Sequence, residues 1–356
     1  MTDDAVTAQA KRRLTAFAYA TLVAIVAVVV LEGAVRRVGL APPLIDRRNW
    51  VRDPLIPYKQ RPSSTRHAAP EPGAPEIEYQ HNSLGFRDQE HEQRKPPGVF
   101  RIVAVGDSFT YGIGAPFKDT YLVRLERLLN ERVGSERIEI IKLGMPRYFP
   151  AAEALVLEHY GLAFEPDLVL VGVLPNDVID TYQGLDAVIV DESGFLISRQ
   201  AQRLGRAGVA LYLRSHVMRI ILARAMQPDT SITPDQIWKD NGAYESAWKA
   251  MESDLERMEA LAKRAGARFA VLSIPQGSLW GPATAYVPPR LSRWSAAHDA
   301  IFVSPLAALR AENGSAPLYW EEDGHCTGAG YAVIAATLAD VLAPEILEHA
   351  ASGTTR

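Results

Sequence analysis

Residues 101–112, RIVAVGDSFTYG, decide the fold that we predict for this chain of 356 residues. The β-branched run before Gly106 has the composition of a short buried strand of a parallel sheet. Glycine permits a sharp bend after such a strand, so Ser108 would present its hydroxyl at the carboxyl end of the sheet. Ligands of open α/β sheets bind at this edge, and the stretch therefore predicts an α/β fold with a candidate nucleophile.

Strands and helices alternate along the chain that follows this stretch. The predicted elements, in chain order, are a helix at 119–133, a strand at 138–143, a helix at 151–163, a strand at 167–173, a helix at 244–265, a strand at 268–274 and a last helix from about 328 to 342. Such alternation with short connections predicts a mostly parallel sheet covered by helices on both faces, a three-layer α/β/α sandwich.

An uncharged apolar run, residues 14–31 (LTAFAYATLVAIVAVVVL), lies near the N-terminus. As a helix it is just long enough to cross a bilayer core of about 30 Å. A cleaved signal peptide and a buried helix are the alternatives, but charged residues follow the run directly and it is apolar on every face. We predict an uncleaved transmembrane anchor after a cytoplasmic tail, residues 1–13. Positive charges flank the run on both sides, and we favour an exported catalytic domain, periplasmic or extracellular.

The remaining organisation follows from composition. Residues 32–77 are rich in proline and arginine without sustained periodicity, which predicts an extended linker. The catalytic domain is predicted over residues 78–343, with an insertion at about 181–241 where the alternation lapses. Within the insertion, residues 209–226 have helical spacing, but their arginines argue against a second membrane span. Residues 344–356 are predicted to be a flexible tail.

Composition also limits the partners. The formal net charge is −4, whereas nucleic-acid binding favours clustered basic residues, so no nucleic acid is expected. The single cysteine, Cys326, excludes an internal disulfide and a cysteine-rich zinc site. Histidine and acidic residues show no metal-ligand spacing, so neither a metal nor a cofactor is expected. The oligomeric state is left open.

A serine nucleophile requires a base and a group that orients the base. Residues 321–325, EEDGH, lie directly before the last predicted helix and contain such a pair. His325 is the candidate base, and Asp323 is the candidate for the carboxylate that orients it. The alternative interpretations are a capping turn around Ser108 and a solvated acidic loop around His325.

Acyl transfer also requires donors for the oxyanion of the transition state. Gly144 follows the second predicted strand, where its N–H has no side chain in the way. Asn176 follows the third predicted strand and offers a neutral amide donor. Each has a structural alternative, a turn glycine and a helix cap respectively. Together with Ser108 they place polar groups after three successive strands, which favours one site at one sheet edge.

This set of residues resembles the four sequence blocks of the SGNH/GDSL hydrolases, in the same order. The blocks are Gly106-Asp107-Ser108, Gly144, Asn176-Asp177 and Asp323-Gly324-His325. The resemblance covers roughly residues 78 to 343 and implies a flavodoxin-like sheet. It also implies that Ser108 is nucleophile and oxyanion donor, that Gly144 and Asn176 complete the oxyanion hole, that His325 is the base and that Asp323 orients it.

The resemblance has two departures. The third block of the family usually reads Gly-x-Asn-Asp, whereas Gly172 stands four residues before Asn176 here. The family's last block more often has Asp three residues before His, a position that Glu322 holds here, so Glu322 is the alternative to Asp323. Residues 82–87 also resemble a segment that precedes the nucleophile block in bacterial members with an N-terminal anchor.

The implied reaction is serine-dependent hydrolysis of an ester of the cell envelope or of an exported ester. An O-acyltransferase (O-acetyltransferase) acting on a surface polysaccharide or glycolipid is the first alternative, because the same catalytic groups serve both and only the acceptor differs. A non-catalytic glycan-binding scaffold is the second. The expected partners are an ester-bearing small molecule, glycan or lipid, and the membrane through the N-terminal helix.

Overall fold

The structure is a computed structural model that describes residues 3–41, 49–134, 137–185, 187–225, 242–277, 279–312, 314 and 316–351. The strands are β1 Trp50–Val51, β2 Lys59–Gln60, β3 Thr65–Ala68, β4 Ile77–Gln80, β5 Phe100–Gly106, β6 Ile138–Gly144, β7 Leu168–Val173, β8 Val188–Val190, β9 Leu196–Ser198, β10 Arg268–Ser273 and β11 Ile301–Val303. The helices are α1 Asp3–Val38, α2 Ser108–Tyr111, α3 Tyr121–Val133, α4 Pro150–His159, α5 Asp177–Gln183, α6 Arg199–Gln202, α7 Gly205–Arg214, α8 His216–Ala225, α9 Gly242–Arg264, α10 Pro282–Ala297, α11 Leu306–Glu312 and α12 Gly328–Ala351. Two short 3₁₀ helices are Phe117–Asp119 and Gly161–Phe164.

The chain divides into two compact units. The larger unit comprises Arg48–Gly194 and Ile232–Arg356, and it contains the central sheet. The smaller unit comprises Met1–Arg47 and Phe195–Ser231, so α1 belongs with the helices of the predicted insertion.

The central sheet has five parallel strands in the order β11-β10-β7-β5-β6. If these five strands are numbered 1 to 5 in chain order and the sheet is read from β6 to β11, the order is 2-1-3-4-5, as in flavodoxin-like folds. Every residue of β5 and β7 is buried, which is why parallel strands appear in sequence as continuous apolar runs. The predicted α/β fold with a parallel, flavodoxin-like sheet is confirmed.

Helices cover both faces of this sheet. On one face α3 packs along α12, and on the other α9 packs along α4. Alternate residues of β5 face the two helix layers. Ile102 and Ala104 belong to the core cluster that contains α3 and α12 residues, while the buried Val103 points away from that cluster. Full burial of a large apolar side chain contributes about 1.5–3 kcal/mol, so the two layers supply the main stabilisation of the larger unit.

The strand β11 and the helix α10 have no counterpart in the sequence prediction. β11 has only three residues and lies at an edge of the sheet. The preceding helix, α10, carries Pro288 and Pro289 in its interior. Proline removes a backbone donor and normally interrupts a helix, so its presence concealed the helical pattern.

The structure differs from the extended linker predicted over residues 32–77. Residues 42–48 lie outside the described part, but the chain beyond them forms two antiparallel strand pairs, β1 with β2 and β3 with β4. Trp50 and Tyr58 are buried, and the ring of Tyr58 packs edge-on against that of Tyr148 with centroids 5.0 Å apart. Burial of these aromatic side chains ties the segment to the larger unit, although its prolines and arginines suggested a stalk.

The chain termini are more helical than predicted. α1 contains the predicted membrane-spanning run, and the candidate span Lys11–Val38 has none of its apolar window buried. A second helix apolar enough to span, Gly328–Glu348, is half buried and packs on α3, as a core helix does. α12 continues to Ala351 with Ile346 buried, where a flexible tail was predicted from residue 344; the apolar face of the helix continues into the core.

The predicted insertion, residues 181–241, is described up to residue 225 except for residue 186. Its predicted helix over 209–226 is broken at Ser215 into α7 and α8. The rest of the insertion, from residue 226, lies outside the described residues.

Three glycines meet at the carboxyl edge of the sheet and set the position of α2. Gly106 of β5 is in register with Gly144 of β6 and with Gly172 of β7. A Cβ at Gly106 or Gly172 would lie 2.1 or 2.7 Å from Thr110 Oγ1, and one at Gly144 would lie 2.3 Å from Tyr111 N. Side chains are therefore excluded at all three strand ends, and α2 lies directly against the sheet backbone.

Gly172→Ala tests this packing. The added methyl group must displace Thr110, so we expect the free energy of unfolding to fall by about 1–3 kcal/mol, the usual range for overpacking. The measurement is urea unfolding of the detergent-solubilised chain followed by tryptophan fluorescence. Thr110→Ala removes the atom that the methyl group meets, so the double variant should lose less than the sum of the two single losses. Additive losses would show that the strand end tolerates a side chain.

Candidate active site

The local sequence explains why Ser108 begins a short helix. Asp107 is the N-cap of α2, and its Oδ1 accepts a hydrogen bond from the N–H of Phe109 at 2.9 Å. Gly112 ends the helix in the left-handed region with φ of +86°. The Gly-Asp-Ser turn therefore caps α2, as the alternative interpretation of the motif as a capping turn predicted. It also places the half-buried Ser108 at the carboxyl edge of the sheet.

Three predicted site residues form a chain of contacts. The Oγ of Ser108 lies 2.8 Å from Nε2 of His325, and Nδ1 of His325 lies 2.6 Å from Oδ2 of Asp323. The serine and the histidine are 217 residues apart in sequence, so only the tertiary fold brings them together. Glu322, the alternative carboxylate, is exposed, and its N–H donates to Glu71.

The loop that carries His325 is fastened to the loop after α2. The N–H of Trp320 donates to the carbonyl of His325 at 2.9 Å, and its indole N–H donates to the carbonyl of Gly114 at 2.7 Å. The hydroxyl of Tyr331, in the first turn of α12, donates to the carbonyl of Ile113 at 2.7 Å. These bonds hold the imidazole over the N-terminus of α2.

Ser108 has a second neighbour that can accept its proton. Oδ2 of Asp107 lies 3.1 Å from the serine Oγ. Burial raises the pKa of Asp107 to about 6, although the bond from Phe109 N–H and the nearby charge of His325 act in the opposite direction. The serine hydroxyl therefore lies between an imidazole and a carboxyl group whose pKa is raised by burial.

Two more carboxyl groups are buried behind Asp107. Glu153 of α4 and Asp177 at the start of α5 are both almost fully buried. Burial raises the pKa of each well above its ordinary value, and repulsion between the carboxylates raises it further. Oδ2 of Asp177 accepts the N–H of Leu174 at 2.8 Å, whereas both oxygens of Glu153 have no partner among the described residues. The sequence analysis missed Glu153, whose only signal is an acid among apolar helix residues.

The two predicted oxyanion donors lie at the same sheet edge, after the two strands that flank β5. Gly144 ends β6 beside α2, and Asn176 is the N-cap residue of α5, three residues after the end of β7. Nδ2 of Asn176 donates to Oδ2 of Asp180 at 2.8 Å, which holds the amide in one orientation. An amide nitrogen carries two hydrogens, so one is left for another acceptor. The contact of either donor with an oxyanion stays a prediction.

Arg87 lies behind α2, and the sequence pointed to its segment, residues 82–87, only through the family resemblance. The buried guanidinium of Arg87 donates to the carbonyls of Tyr111 and Gly112 and, at 2.9 Å, to that of Ala115. A cation at the carbonyl end of a helix satisfies orphan acceptors. Nε2 of His81 lies 2.7 Å from the Tyr111 hydroxyl, so residues preceding the sheet support α2 from behind.

A small pocket of about 20 Å³ adjoins the loop of Asn176. Asp180, the partner of the Asn176 amide, lies on its wall together with Arg147, which adopts a left-handed φ of +66°. Burial raises the pKa of Asp180, while its bond from Asn176 and the charge of Arg147 lower it in part. The other lining residues are Pro57, Tyr58, Tyr148, Phe149, Ala152, Gln183, Gly184, Leu185, Ala187 and Val188.

Metal ligation finds no support in the described part of the chain, where no group of three or more His, Cys, Asp or Glu side chains is placed to hold an ion.

Comparison with known families and proteins bears on this site. The model of the GDSL-like lipase/acylhydrolase family matches residues 104–333, which confirms the resemblance predicted from the sequence. No curated protein matches the chain.

Several solved structures are similar, all at low sequence identity. The lipase Lip_vut3 from a goat rumen metagenome has a TM-score of 0.43 and 11% identity, covering 68% of this chain and 97% of that one. A catalytic mutant of Axe2, an acetylxylan esterase from Geobacillus stearothermophilus, has a TM-score of 0.42 and 15% identity, covering 71% and 96%. A G-D-S-L family protein from Veillonella parvula has a TM-score of 0.40 and 12% identity, covering 68% and 98%.

Glu153→Gln tests the buried carboxyl group. The raised pKa means that the folded chain keeps a proton that the unfolded chain releases above the ordinary pKa of 4.5. The free energy of unfolding should therefore fall as the pH rises from about 5 to 8. Glutamine removes the contribution of Glu153 to this slope, so the stability gained by the variant should grow with pH in urea unfolding.

Glu158→Gln is the matched control, since Glu158 is exposed on the same helix and pairs with Arg257. Surface pairs contribute at most about 1 kcal/mol, so this variant should show a small change at every pH. Equal slopes for wild type and Glu153→Gln would contradict a proton held on Glu153.

Proposed function

The chain belongs to the GDSL-like lipase/acylhydrolase family, and from this premise we propose that it is a serine esterase with Ser108 as its nucleophile. The observation that carries the proposal is the contact chain from Ser108 Oγ to His325 and Asp323, with lengths of 2.8 and 2.6 Å. These are the distances that a nucleophile, a base and an orienting carboxylate require. Ester hydrolysis is the general activity of the family that matches.

The proposed reaction has two steps. His325 takes the proton of Ser108 while the serine oxygen bonds to the ester carbonyl carbon, and the carbonyl π electrons move onto its oxygen. The imidazolium that forms is stabilised by Asp323 and donates its proton to the leaving alcohol, which yields the acyl-serine. Water then attacks the acyl carbon with His325 again as base, and the acid leaves as the serine regains its proton.

We further propose that the oxyanion is held by the N–H groups of Ser108 and Gly144 and by Nδ2 of Asn176. The support for Asn176 is its bond to Asp180, which fixes the amide plane and leaves one hydrogen available. The support for Gly144 is its place at the strand end next to α2. Removal of one such donor has raised barriers by about 2.7–4 kcal/mol in other enzymes.

The substrate is proposed to be an ester of the cell envelope. The support is α1, whose apolar run from residue 14 to 31 carries no charge and is exposed along its length. A single membrane-spanning helix would hold the catalytic domain on the exported side, near the glycans and lipids at the membrane surface. The partner is then a glycan or lipid that bears an ester group.

The same acyl-serine can be discharged by a sugar hydroxyl, which would make the chain an O-acyltransferase. The anchor that keeps the domain close to surface glycans favours this alternative. Purified chain incubated with an acyl donor and a panel of saccharides distinguishes the two, because a hydrolase releases free acid and a transferase forms acyl-sugar. We place hydrolysis first, as the activity of the matching family.

Ser108→Ala tests the nucleophile. Without the hydroxyl no acyl-enzyme forms, so kcat/KM for p-nitrophenyl acetate should fall at least about 1000-fold. Ser83→Ala is the control, because Ser83 is exposed and bonds only to Glu90 among the described residues. Both wild type and the control should react with a fluorophosphonate probe, and Ser108→Ala should not. A folded wild-type chain that resists the probe would favour the non-catalytic scaffold.

Asn176→Ala tests the oxyanion donor. Loss of a donor that acts on the transition state should lower kcat by about 100- to 1000-fold and leave KM within a few-fold. Asp180→Asn keeps the shape of the side chain but removes the carboxylate that orients the amide, so kcat should fall by a smaller factor of about 10. Gln183→Ala, on the same helix but without a bond to Asn176, should leave kcat unchanged. An unaltered kcat in Asn176→Ala would remove this residue from the oxyanion hole without touching the Ser108 assignment.

A further inference from the structure

The membrane-proximal end of α1 is joined to the helices of the insertion through one carboxylate. Glu32 follows the apolar run directly, and its oxygens accept bonds from the Ser215 hydroxyl at 2.9 Å, from His216 N–H at 2.8 Å and from Val217 N–H at 3.1 Å. The first N–H groups of a helix have no partner within the helix, and a carboxylate satisfies them. The N-terminus of α8 is thereby fixed at the end of the apolar run.

A second contact fixes α7 at the same place. Arg36, one turn after Glu32 and bonded to it at 2.9 Å, donates through Nη2 to the carbonyl of Arg214 at 2.7 Å. Arg214 is the last residue of α7, where carbonyl groups lack helical partners. The corner between α7 and α8 is therefore held by a single turn of α1. At a rise of 1.5 Å per residue, this turn lies within about 8 Å of the end of the apolar run, which is the depth of a headgroup layer.

The charge of this corner is opposite to that of the whole chain. Residues 195–225 contain no aspartate or glutamate, whereas the complete chain has a net charge of −4. The same residues contain six arginines, and the adjoining turn of α1 adds Glu32, Arg36 and Arg37. The six are Arg199, Arg203, Arg206, Arg214, Arg219 and Arg224. Of these, Arg219 is buried and donates to the carbonyls of Tyr212 and Leu213, so it adds nothing to the exposed charge. An anionic membrane surface attracts basic residues that lie within a Debye length of it, so this composition is complementary to anionic lipid headgroups.

The apolar side chains of the same helices are poorly covered. No residue of α7 is buried, and Leu211 is 45% exposed. In α8, Ile221 is 52% exposed, and its other large apolar residues are only half buried. Basic helices with exposed leucine and isoleucine are typical of segments that lie at the boundary between headgroups and acyl chains.

We propose that α7 and α8 lie in the headgroup layer of the membrane that α1 enters, with the exposed Arg203, Arg214 and Arg224 against anionic headgroups and Leu211 and Ile221 toward the acyl chains. This inference rests on the proposed membrane span of α1 and is independent of the catalytic assignment. The surface would hold the chain by a second, electrostatic contact beside the anchor.

Depth-dependent quenching in the full-length chain tests the inference. Leu211→Cys and Ile221→Cys are labelled with an environment-sensitive fluorophore and reconstituted into vesicles of phosphatidylcholine and phosphatidylglycerol. One vesicle set carries a lipid quencher near the headgroup and the other a quencher near the acyl-chain end. Both labels should lose about half of their emission with the shallow quencher and less with the deep one. The wild-type chain gives the background, because its single cysteine, Cys326, is fully buried.

Two reference labels separate this inference from the anchor on which it rests. Val23→Cys lies within the apolar run and should be quenched most by the deep quencher, while Glu131→Cys, exposed on the larger unit, should not be quenched by either. If the label at 23 is quenched and those at 211 and 221 behave like the label at 131, the inference is overturned and the anchor stands. If the label at 23 is not quenched, the span fails and the inference fails with it.

Charge substitutions test the electrostatic part. In a chain labelled at 221, Arg203→Gln combined with Arg224→Gln should reduce the shallow quenching at least about twofold, since two lost contacts weaken headgroup attraction. Arg127→Gln combined with Arg264→Gln changes the net charge equally on exposed positions of the larger unit and should leave the quenching unchanged. Equal quenching in vesicles of phosphatidylcholine alone would overturn the assignment of anionic headgroups.

Discussion

The close packing of α2 on the ends of three strands is the constraint on which the site depends. Gly106, Gly144 and Gly172 are in register, and a side chain at any of them would collide with α2. Because the helix lies on bare backbone, its first residue, Ser108, is held at the crevice between β5 and β7, where the strand order reverses. A side chain on such a support has little freedom, which favours the fixed geometry that the proposed nucleophile needs for attack.

The close packing of α2 also lowers the stability of the folded state. Asp107 must be buried to cap α2, and it shares its low-dielectric surroundings with Glu153 and Asp177. Buried carboxyl groups oppose folding above their ordinary pKa, so the region behind Ser108 is destabilised at neutral pH. Hydrogen bonds from Arg87 on one side and from the His325 loop on the other hold this region in place. Strain and unsatisfied polar groups of this kind concentrate at functional sites.

The smaller unit is held together by different interactions. Among its described residues, α7 buries no side chain, and the corner between α7 and α8 is held to α1 by a carboxylate and a guanidinium at helix ends, those of Glu32 and Arg36. Such contacts fix position but supply little hydrophobic stabilisation. A lipid surface would supply the missing apolar burial, which is why the proposed membrane contact and the proposed anchor belong to one arrangement.

The sequence by itself determined the features that depend on local patterns. Apolar runs gave the strands of the parallel sheet, and helical spacing gave the long helices. The blocks around Ser108 and His325 gave the family, because spacing along the chain is enough to recognise them. Tertiary structure alone decided that residues after 49 fold onto the domain, that Asp323 rather than Glu322 meets His325, and that Glu153 is buried without a partner. The physical reason is that burial and long-range hydrogen bonds depend on which surfaces meet, and neither leaves a period or a spacing in the sequence.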